Sequence, residues 1–217
     1  MRGDSINIEA HHRRVGGNIA TFMEGILCEG EGRFCITIAG ESGSGKSETA
    51  IALATALAED GVKSVIFHQD DYFVHPPKTN DKTRRADINW VGPQEVHLDM
   101  MDDHIRAFLD GADSIDKPLV DYESDTIHSV TMNMGDARIA IAEGTYTSLL
   151  KTASYRLFID RSHLQTRAHR EQRNRGVSEL DEFTEQVLEI EHRIISTHKT
   201  IADIIIEEDY SVTKAML

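Results

Sequence analysis

The chain has 217 residues, 40% of them hydrophobic and 28% charged, so it carries enough apolar material for a core and is not a disordered composition. Twenty-three Lys+Arg against 37 Asp+Glu leave a formal charge of -14, which argues against a broad nucleic-acid or anionic-membrane surface. No run approaches the ~18 apolar residues that a membrane span needs. Met-Arg-Gly-Asp-Ser at the N-terminus has no apolar core and reads as no signal peptide, and Cys28 and Cys35 make no disulfide framework; both points suit free thiols in a reducing cytoplasm.

No internal repeat or low-complexity tract is visible. The spacing predicts a helix over Gly17–Leu27, inside an N-terminal extension (1–32) that has two readings: packing on a sheet, or self-association into a homo-oligomer. From Arg33 onward (33–217) short apolar runs alternate with amphipathic segments. Phe34–Ala39 reads as a buried strand, Ser47–Asp60 as a helix ended by Gly61, and Ser64–Phe67 as a second strand. Val74–Glu95, with Pro76, Pro77 and Pro93 and the polar run Lys78–Asp87, has no period and reads as a long loop, either a substrate-side flap or an excursion. Helical spacing returns at Met101, Ile105 and Phe108, and at Phe183, Val187, Ile190 and Ile194. Further strands are expected at Leu119–Tyr122, Arg138–Ala142, Tyr155–Ile159 and Ala202–Ile206. Strands alternating with helices call for one α/β domain with a parallel sheet covered on both faces.

Gly40-Glu-Ser-Gly-Ser-Gly45-Lys46-Ser47 matches G-x-x-x-x-G-K-[ST] in full, between an expected strand and an expected helix. Chance would produce this pattern in roughly 1% of chains this long. Glycines let successive N–H groups turn inward onto phosphate oxygens, and the following helix adds its N-terminal donors. Gly40, Glu41, Ser42, Gly43, Ser44, Gly45, Lys46, Ser47 and Glu48 are therefore the nucleotide-binding candidates, with Lys46 on the β- and γ-phosphates and the Ser47 hydroxyl on Mg²⁺. An Asn-Lys-x-Asp guanine motif and a Leu-Ser-Gly-Gly-Gln-like signature are both absent, which disfavours GTPases and ABC-type ATPases.

The second strand runs into Gln69-Asp70-Asp71-Tyr72-Phe73. A carboxylate at the C-terminal end of a parallel strand faces the crevice where α/β proteins bind ligands. Asp70 could there accept a proton from an attacking hydroxyl or hold a Mg²⁺ water. Arg138–Glu143 ends in a second such carboxylate, making Glu143 the candidate for the acidic metal-side residue. Arg167, Arg170, Arg173 and Arg175 follow the Tyr155–Ile159 strand and would suit a lid over ATP, with Arg170 and Arg173 offsetting charge on the transferred phosphoryl group. Eleven histidines are present, but neither His11-His12 nor His192 and His198 have metal-ligand spacing, and no H-E-x-x-H or cysteine-pair motif occurs.

Taken together, Gly40–Ser47, Gln69-Asp70, Pro118-Leu-Val-Asp121-Tyr122, Glu143-Gly144, the arginine run and Ile201–Ile206 resemble the uridine kinase and phosphoribulokinase group of P-loop kinases, over roughly Arg33 to Glu208. The resemblance implies a three-layer fold with a five-stranded parallel sheet, a small substrate-side β-hairpin and a helical lid. It also implies transfer from Mg·ATP to a small-molecule hydroxyl, with Asp70 as base, Lys46 and the arginines on the phosphates, and Ser47, Asp70 and Glu143 on the metal side. Tyr72, Phe73, Asp121 and Tyr122 would be the acceptor-side residues. The sequence departs from the uridine kinase pattern where that family reads its nucleoside: Val91, Val120 and Asp125 stand in place of a ribose-binding Asp, an aromatic and a His. The acceptor is therefore a nucleoside or, alternatively, a sugar, sugar phosphate or other polyol; with an anionic acceptor, Lys78, Lys82, Arg84 and Arg85 would bind it. A slow nucleotide-hydrolysing regulator is the rival from another class.

Overall fold

The computed structural model describes residues 6–29, 32–166 and 181–215. Five short apolar runs form mutually parallel strands: β1 (Phe34–Gly40), β2 (Ser64–His68), β5 (Ile139–Glu143), β6 (Tyr155–Ile159) and β7 (Ile204–Ile206). They lie in the order β2-β5-β1-β6-β7, and an unexpected antiparallel strand, β8 (Val212–Lys214), closes the β7 edge to make a sheet of six.

Period-2 alternation on these strands divides the core. Ile36, Ile38, Ile139, Ile141, Leu157 and Ile159 turn to one face, where they meet Ala50, Leu53 and Leu57 of α2 (Lys46–Glu59). Cys35, Ala39, Ala140, Ala142 and Phe158 turn to the other, against Met101, Ile105 and Phe108 of α4 (Leu98–Leu109). The result is helix, sheet, helix, which explains why the strands read as continuous apolar runs. Burial pushes the Cys35 thiol up to about 12, so it serves as a small core side chain. The side chain of Cys28 lies outside the described set.

The N-terminal helix α1 spans Ala10–Glu29, starting well before Gly17. Val15, Ile19, Ala20 and Met23 bury into the same core as α2. Gly16 allows the crossing, because a Cβ there would sit 2.5 Å from the Ala52 backbone. Among the described residues, no helix is long and apolar enough to cross a membrane.

The 74–95 stretch departs most from its expected form. It contains a helix, α3 (Pro77–Ala86), followed by short 3₁₀ turns at Ile88–Trp90 and Pro93–Glu95. Pro77 sits in the first turn, where its fixed φ favours helix. Asn80 is its only buried residue, so no apolar stripe existed for periodicity to detect. Polar ties hold it instead: Arg85 pairs with Asp81 at 2.9 Å and with Asp181 at 2.7 Å, at the N-cap of α5 (Glu182–Ile195). The expected strand at Leu119–Tyr122 is one arm of a separate hairpin, β3 (Ser114–Asp121) with β4 (Thr126–Asn133).

Candidate active site

Among the described residues, the candidate side chains that share a cleft lie at the C-terminal edge of the sheet. Parallel register brings Ile38 beside Glu143 and His68 beside Glu143, so β1, β2 and β5 end level. From β1 the chain enters the Gly40–Ser47 loop, and Gly45, at φ 92°, caps α2 in a left-handed conformation that favours glycine. Lys46 Nζ donates to the Glu41 carbonyl oxygen at 2.8 Å, folding the lysine over its own loop.

On β5, Glu143 is buried between two donors. Ser47 Oγ donates to its Oε2 at 3.1 Å, and His68 Nδ1 meets its Oε1 at 2.6 Å. Burial works to raise this carboxyl, but the His68 hydrogen bond and charge, the Lys46 charge and the Ser47 hydroxyl together hold it below the ordinary value. It is thus a carboxylate aimed at the loop's hydroxyl. Gly144 follows because Gln69 leaves no room: a Cβ would lie 2.2 Å from the Gln69 Cβ, while Gln69 Oε1 accepts the Tyr146 N–H at 2.6 Å.

Two adjacent aspartates leave β2 with opposite fates. Asp70 lines a cleft of about 230 Å³ together with Gly43, Lys46, Ser47, Glu143 and Thr145. Asp71 turns away and is buried: Lys117 Nζ on β3 sits 2.6 Å from its Oδ2, and the Val120 N–H donates to its Oδ1 at 3.2 Å. It fastens the hairpin to the sheet. Ser47, Glu143 and Asp70 offer oxygen atoms alone, a donor set suited to Mg²⁺, next to the glycine-rich loop.

The far wall of the cleft comes from Phe73 after β2, Pro77, Asn80, Asp81 and Arg84 on α3, and Tyr122 in the hairpin turn. Arg84 is clamped there by Glu95, with Nε 2.8 Å from Oε1 and Nη2 on Oε2, and by Glu191 of α5 at 3.1 Å. Asn80 Nδ2 adds a bond to Glu95 at 3.3 Å, and Trp90 Nε1 donates to Asn80 Oδ1 at 2.9 Å. Burial, then the neighbouring Glu95 charge, raise the Glu191 carboxyl against the pull of Arg84 and Lys46.

Among the acceptor-side candidates, Phe73 and Tyr122 reach the cleft. Tyr72 is fully buried in the α4-side core with its hydroxyl 3.0 Å from His104 Nδ1, and Asp121 Oδ1 accepts the Ser124 N–H in the hairpin turn. Of the loop residues, Ser42 lines the cleft, Ser44 and Glu48 are buried, and the Glu41 side chain turns to His163 and His192. Arg167, Arg170, Arg173 and Arg175 lie outside the described residues. Sequence reasoning passed over His68, Thr145, Glu95 and Glu191, and assigned Arg84 to an anionic ligand. A carboxylate fully buried beside an arginine leaves no local pattern when the two are eleven residues apart on different elements.

The family model described as "Phosphoribulokinase / Uridine kinase family" matches residues 35–212. A bifunctional alpha-galactosidase/sucrose kinase of Mediterraneibacter gnavus is 28% identical over 199 residues, covering 85% of this chain and 21% of that much longer protein. A uridine kinase of Leuconostoc citreum is 25% identical over 185 residues, covering 80% of this chain and 86% of its own. The solved structure of a possible uridine kinase from Bacillus stearothermophilus has the same fold, with a TM-score of 0.59 at 21% identity, over 89% of this chain and 97% of that one. With the family model matched over most of its length, the chain belongs to the phosphoribulokinase/uridine kinase family of P-loop nucleotide-binding kinases.

Proposed function

We propose that the chain transfers the γ-phosphoryl group of Mg·ATP to a hydroxyl of an uncharged polyhydroxyl acceptor, a nucleoside or a sugar. The observation that carries this reading is a single cleft walled by the phosphate loop with Ser47 and Glu143 on one side and by Asp70, Phe73 and Tyr122 on the other. Asp70 takes the proton of the acceptor hydroxyl as its oxygen attacks the γ-phosphorus, and the bond to the bridging oxygen of ADP breaks in line. Lys46 leaves the Glu41 carbonyl to meet the phosphates. Ser47, with Glu143 behind it, and Asp70 would hold a Mg²⁺ ion, which would supply compensation for the charge of the transferred phosphoryl group. The arginines at 167, 170, 173 and 175 would add charge compensation from the lid.

The pairing of the basic residues on α3 supports an uncharged acceptor. Arg84 is held by Glu95 and Glu191, Arg85 by Asp81 and Asp181, and Lys78 Nζ by the Glu123 carbonyl at 2.8 Å. Lys82 is not among the residues lining the cleft. Among the described cleft-lining residues, a phosphate-bearing acceptor would meet Asp70, Asp81, Glu143 and Glu191, with Arg84 engaged by its carboxylates and Lys46 assigned to the nucleotide phosphates.

Between the two acceptor classes, a sugar gains support from three positions. Val91 and Val120 are buried, and Asp125 ties the hairpin turn to the start of α3 through the Lys78 N–H at 2.7 Å and the Thr79 hydroxyl at 2.9 Å. None of them lines the cleft to read a base. The sucrose kinase named in one relative is in keeping with this. ADP release measured across nucleosides, neutral sugars and sugar phosphates tests the proposal: turnover with a neutral polyol is expected, preference for a sugar phosphate would overturn the neutral-acceptor reading, and ADP formed at the same rate without acceptor would identify a nucleotide-hydrolysing regulator.

A further inference from the structure

Behind the phosphate loop, three segments far apart in the chain meet at a point the kinase chemistry does not use. Glu41 is the second residue of the loop, His163 follows β6, and His192 lies near the end of α5. One ligand atom from each lies within 4.8 Å of the other two. His163 Nδ1 is 3.3 Å from Glu41 Oε2 and His192 Nδ1 is 2.6 Å from Oε1, with the two rings 5.5 Å apart. Glu41 and His163 are both buried, while the His192 side chain is 37% exposed. From this geometry we propose that Glu41, His163 and His192 form a divalent transition-metal site, of the two-imidazole, one-carboxylate kind that takes Zn²⁺.

Several features support a metal over a plain hydrogen-bond cluster. Two imidazoles and a carboxylate are the donors that borderline cations such as Zn²⁺ select, and three protein ligands leave a fourth position for water. That position has room, because Glu41 and His192 open onto a cavity of about 330 Å³ whose polar wall includes Asp160, Ser162, Gln165 and Ser196. Ligation at Nδ1 requires the proton on Nε2. His163 Nε2 faces Glu189 Oε2 at 4.0 Å, and the half-exposed His192 can offer its Nε2–H to water. The Glu41 carboxylate is already oriented, since Oε2 accepts the His163 backbone N–H at 2.5 Å. On binding, each neutral ring exchanges the Nδ1 proton it shares with Glu41 for one on Nε2 through solvent, and a doubly protonated ring releases its Nδ1 proton to water. The cation takes the place of two hydrogen bonds with three coordinate bonds. The bound metal would tie the first turn of the phosphate loop to the two segments that flank residues 167–180.

The test uses the full chain, stripped with a chelator and titrated with Zn²⁺ by calorimetry and with Co²⁺ by visible absorption. One ion per chain is expected, with the intense d–d bands of tetrahedral Co²⁺ and, at Zn²⁺ one hundred times its dissociation constant, a melting midpoint raised by about 5–10 °C. His192→Ala and His163→Ala should each weaken binding by more than the 10–100-fold that loss of an outer-shell partner brings. His192→Ala alters a partly exposed side chain, so it keeps the test valid if His163→Ala misfolds. His11→Ala, in the separate His11-His12 pair, should bind as the unaltered chain does. Absence of stoichiometric binding, octahedral Co²⁺ spectra, or loss with His11→Ala but not His192→Ala would each overturn the site. Because the readouts are metal content and spectra, the outcome is independent of which acceptor the kinase uses.

Discussion

The two walls of the cleft are built in opposite ways. The phosphate wall is local: eight consecutive residues running from the end of β1 into the first turn of α2, plus one carboxylate delivered by the neighbouring strand. The acceptor wall is assembled from α3, the β3–β4 hairpin, the turn at Glu95 and α5, and its ordering element is an arginine gripped by two carboxylates on two other segments. Local geometry set by glycine and hydrogen-bonded loops recurs wherever the motif recurs. A wall made of long-range polar pairs can be rebuilt by exchanging a few partners. One family can thus keep its phosphoryl chemistry and change its acceptor.

The sharpest break between these walls falls between adjacent residues. Asp70→Asn preserves shape but cannot take a proton, so turnover should drop ~10²–10⁴-fold, about 3–5 kcal/mol of barrier, with the melting midpoint unchanged. Asp71→Asn should do the reverse, destabilising the fold because Lys117 is left buried without its anion. Steady-state kinetics beside thermal melts decide it. A dead but stable Asp71→Asn with an active Asp70→Asn would interchange the two roles.

Next in size is the anchor of the acceptor wall. Glu95→Ala leaves the buried Arg84 with Glu191 alone and should cost about 2–3 kcal/mol in urea denaturation, the loss of a charged hydrogen-bonded partner. ATP affinity of the folded fraction should stay near that of the unaltered chain, because the phosphate wall does not depend on this pair. An equal loss of ATP affinity would mean the walls are coupled.

Tyr122 probes acceptor contact directly. Tyr122→Ala removes an aromatic surface from the cleft and should weaken acceptor binding by about 1–3 kcal/mol, seen as a raised KM for the acceptor with the KM for ATP unchanged. Equal changes in both constants would move Tyr122 out of the acceptor wall.

The smallest effect is on acid stability. Glu143 sits below its ordinary value of 4.5 in the fold, so it contributes stability above that pH which is lost as pH falls through its lower folded value. Glu143→Gln should therefore flatten the acid limb of a stability-pH curve while leaving the neutral region almost flat. A steeper acid limb would show that His68 and Ser47 do not stabilise the carboxylate.

Much of this molecule was legible before folding was considered. The β1–loop–α2 unit, the carboxylates ending β2 and β5, and the parallel strands follow from runs of like residues a few positions apart, because period-2 and period-3.6 burial and the turn chemistry of glycine act locally. Asp70, Lys46, Ser47 and Glu143 follow from that local pattern, Phe73 and Tyr122 from the family resemblance, and all six line one cleft. α3 was not, since a helix without an apolar stripe has no period to read; its ion pairs with Asp181, Glu95 and Glu191 exist only once α5 and the Glu95 turn are docked. Tyr72, one residue from the cleft-lining Phe73, is buried instead, because the turn after β2 points successive side chains in different directions. The meeting of Glu41, His163 and His192 is likewise invisible to spacing: 122 and 29 positions separate them, and only the level ends of β1 and β6, with α5 crossing behind, bring their ligand atoms together. Local pattern determined the phosphate loop and the strand-end carboxylates, and tertiary contact decided the far wall of the cleft and the cluster behind the loop, because ion pairs and clusters of ligand atoms depend on distance in space and carry no period along the chain.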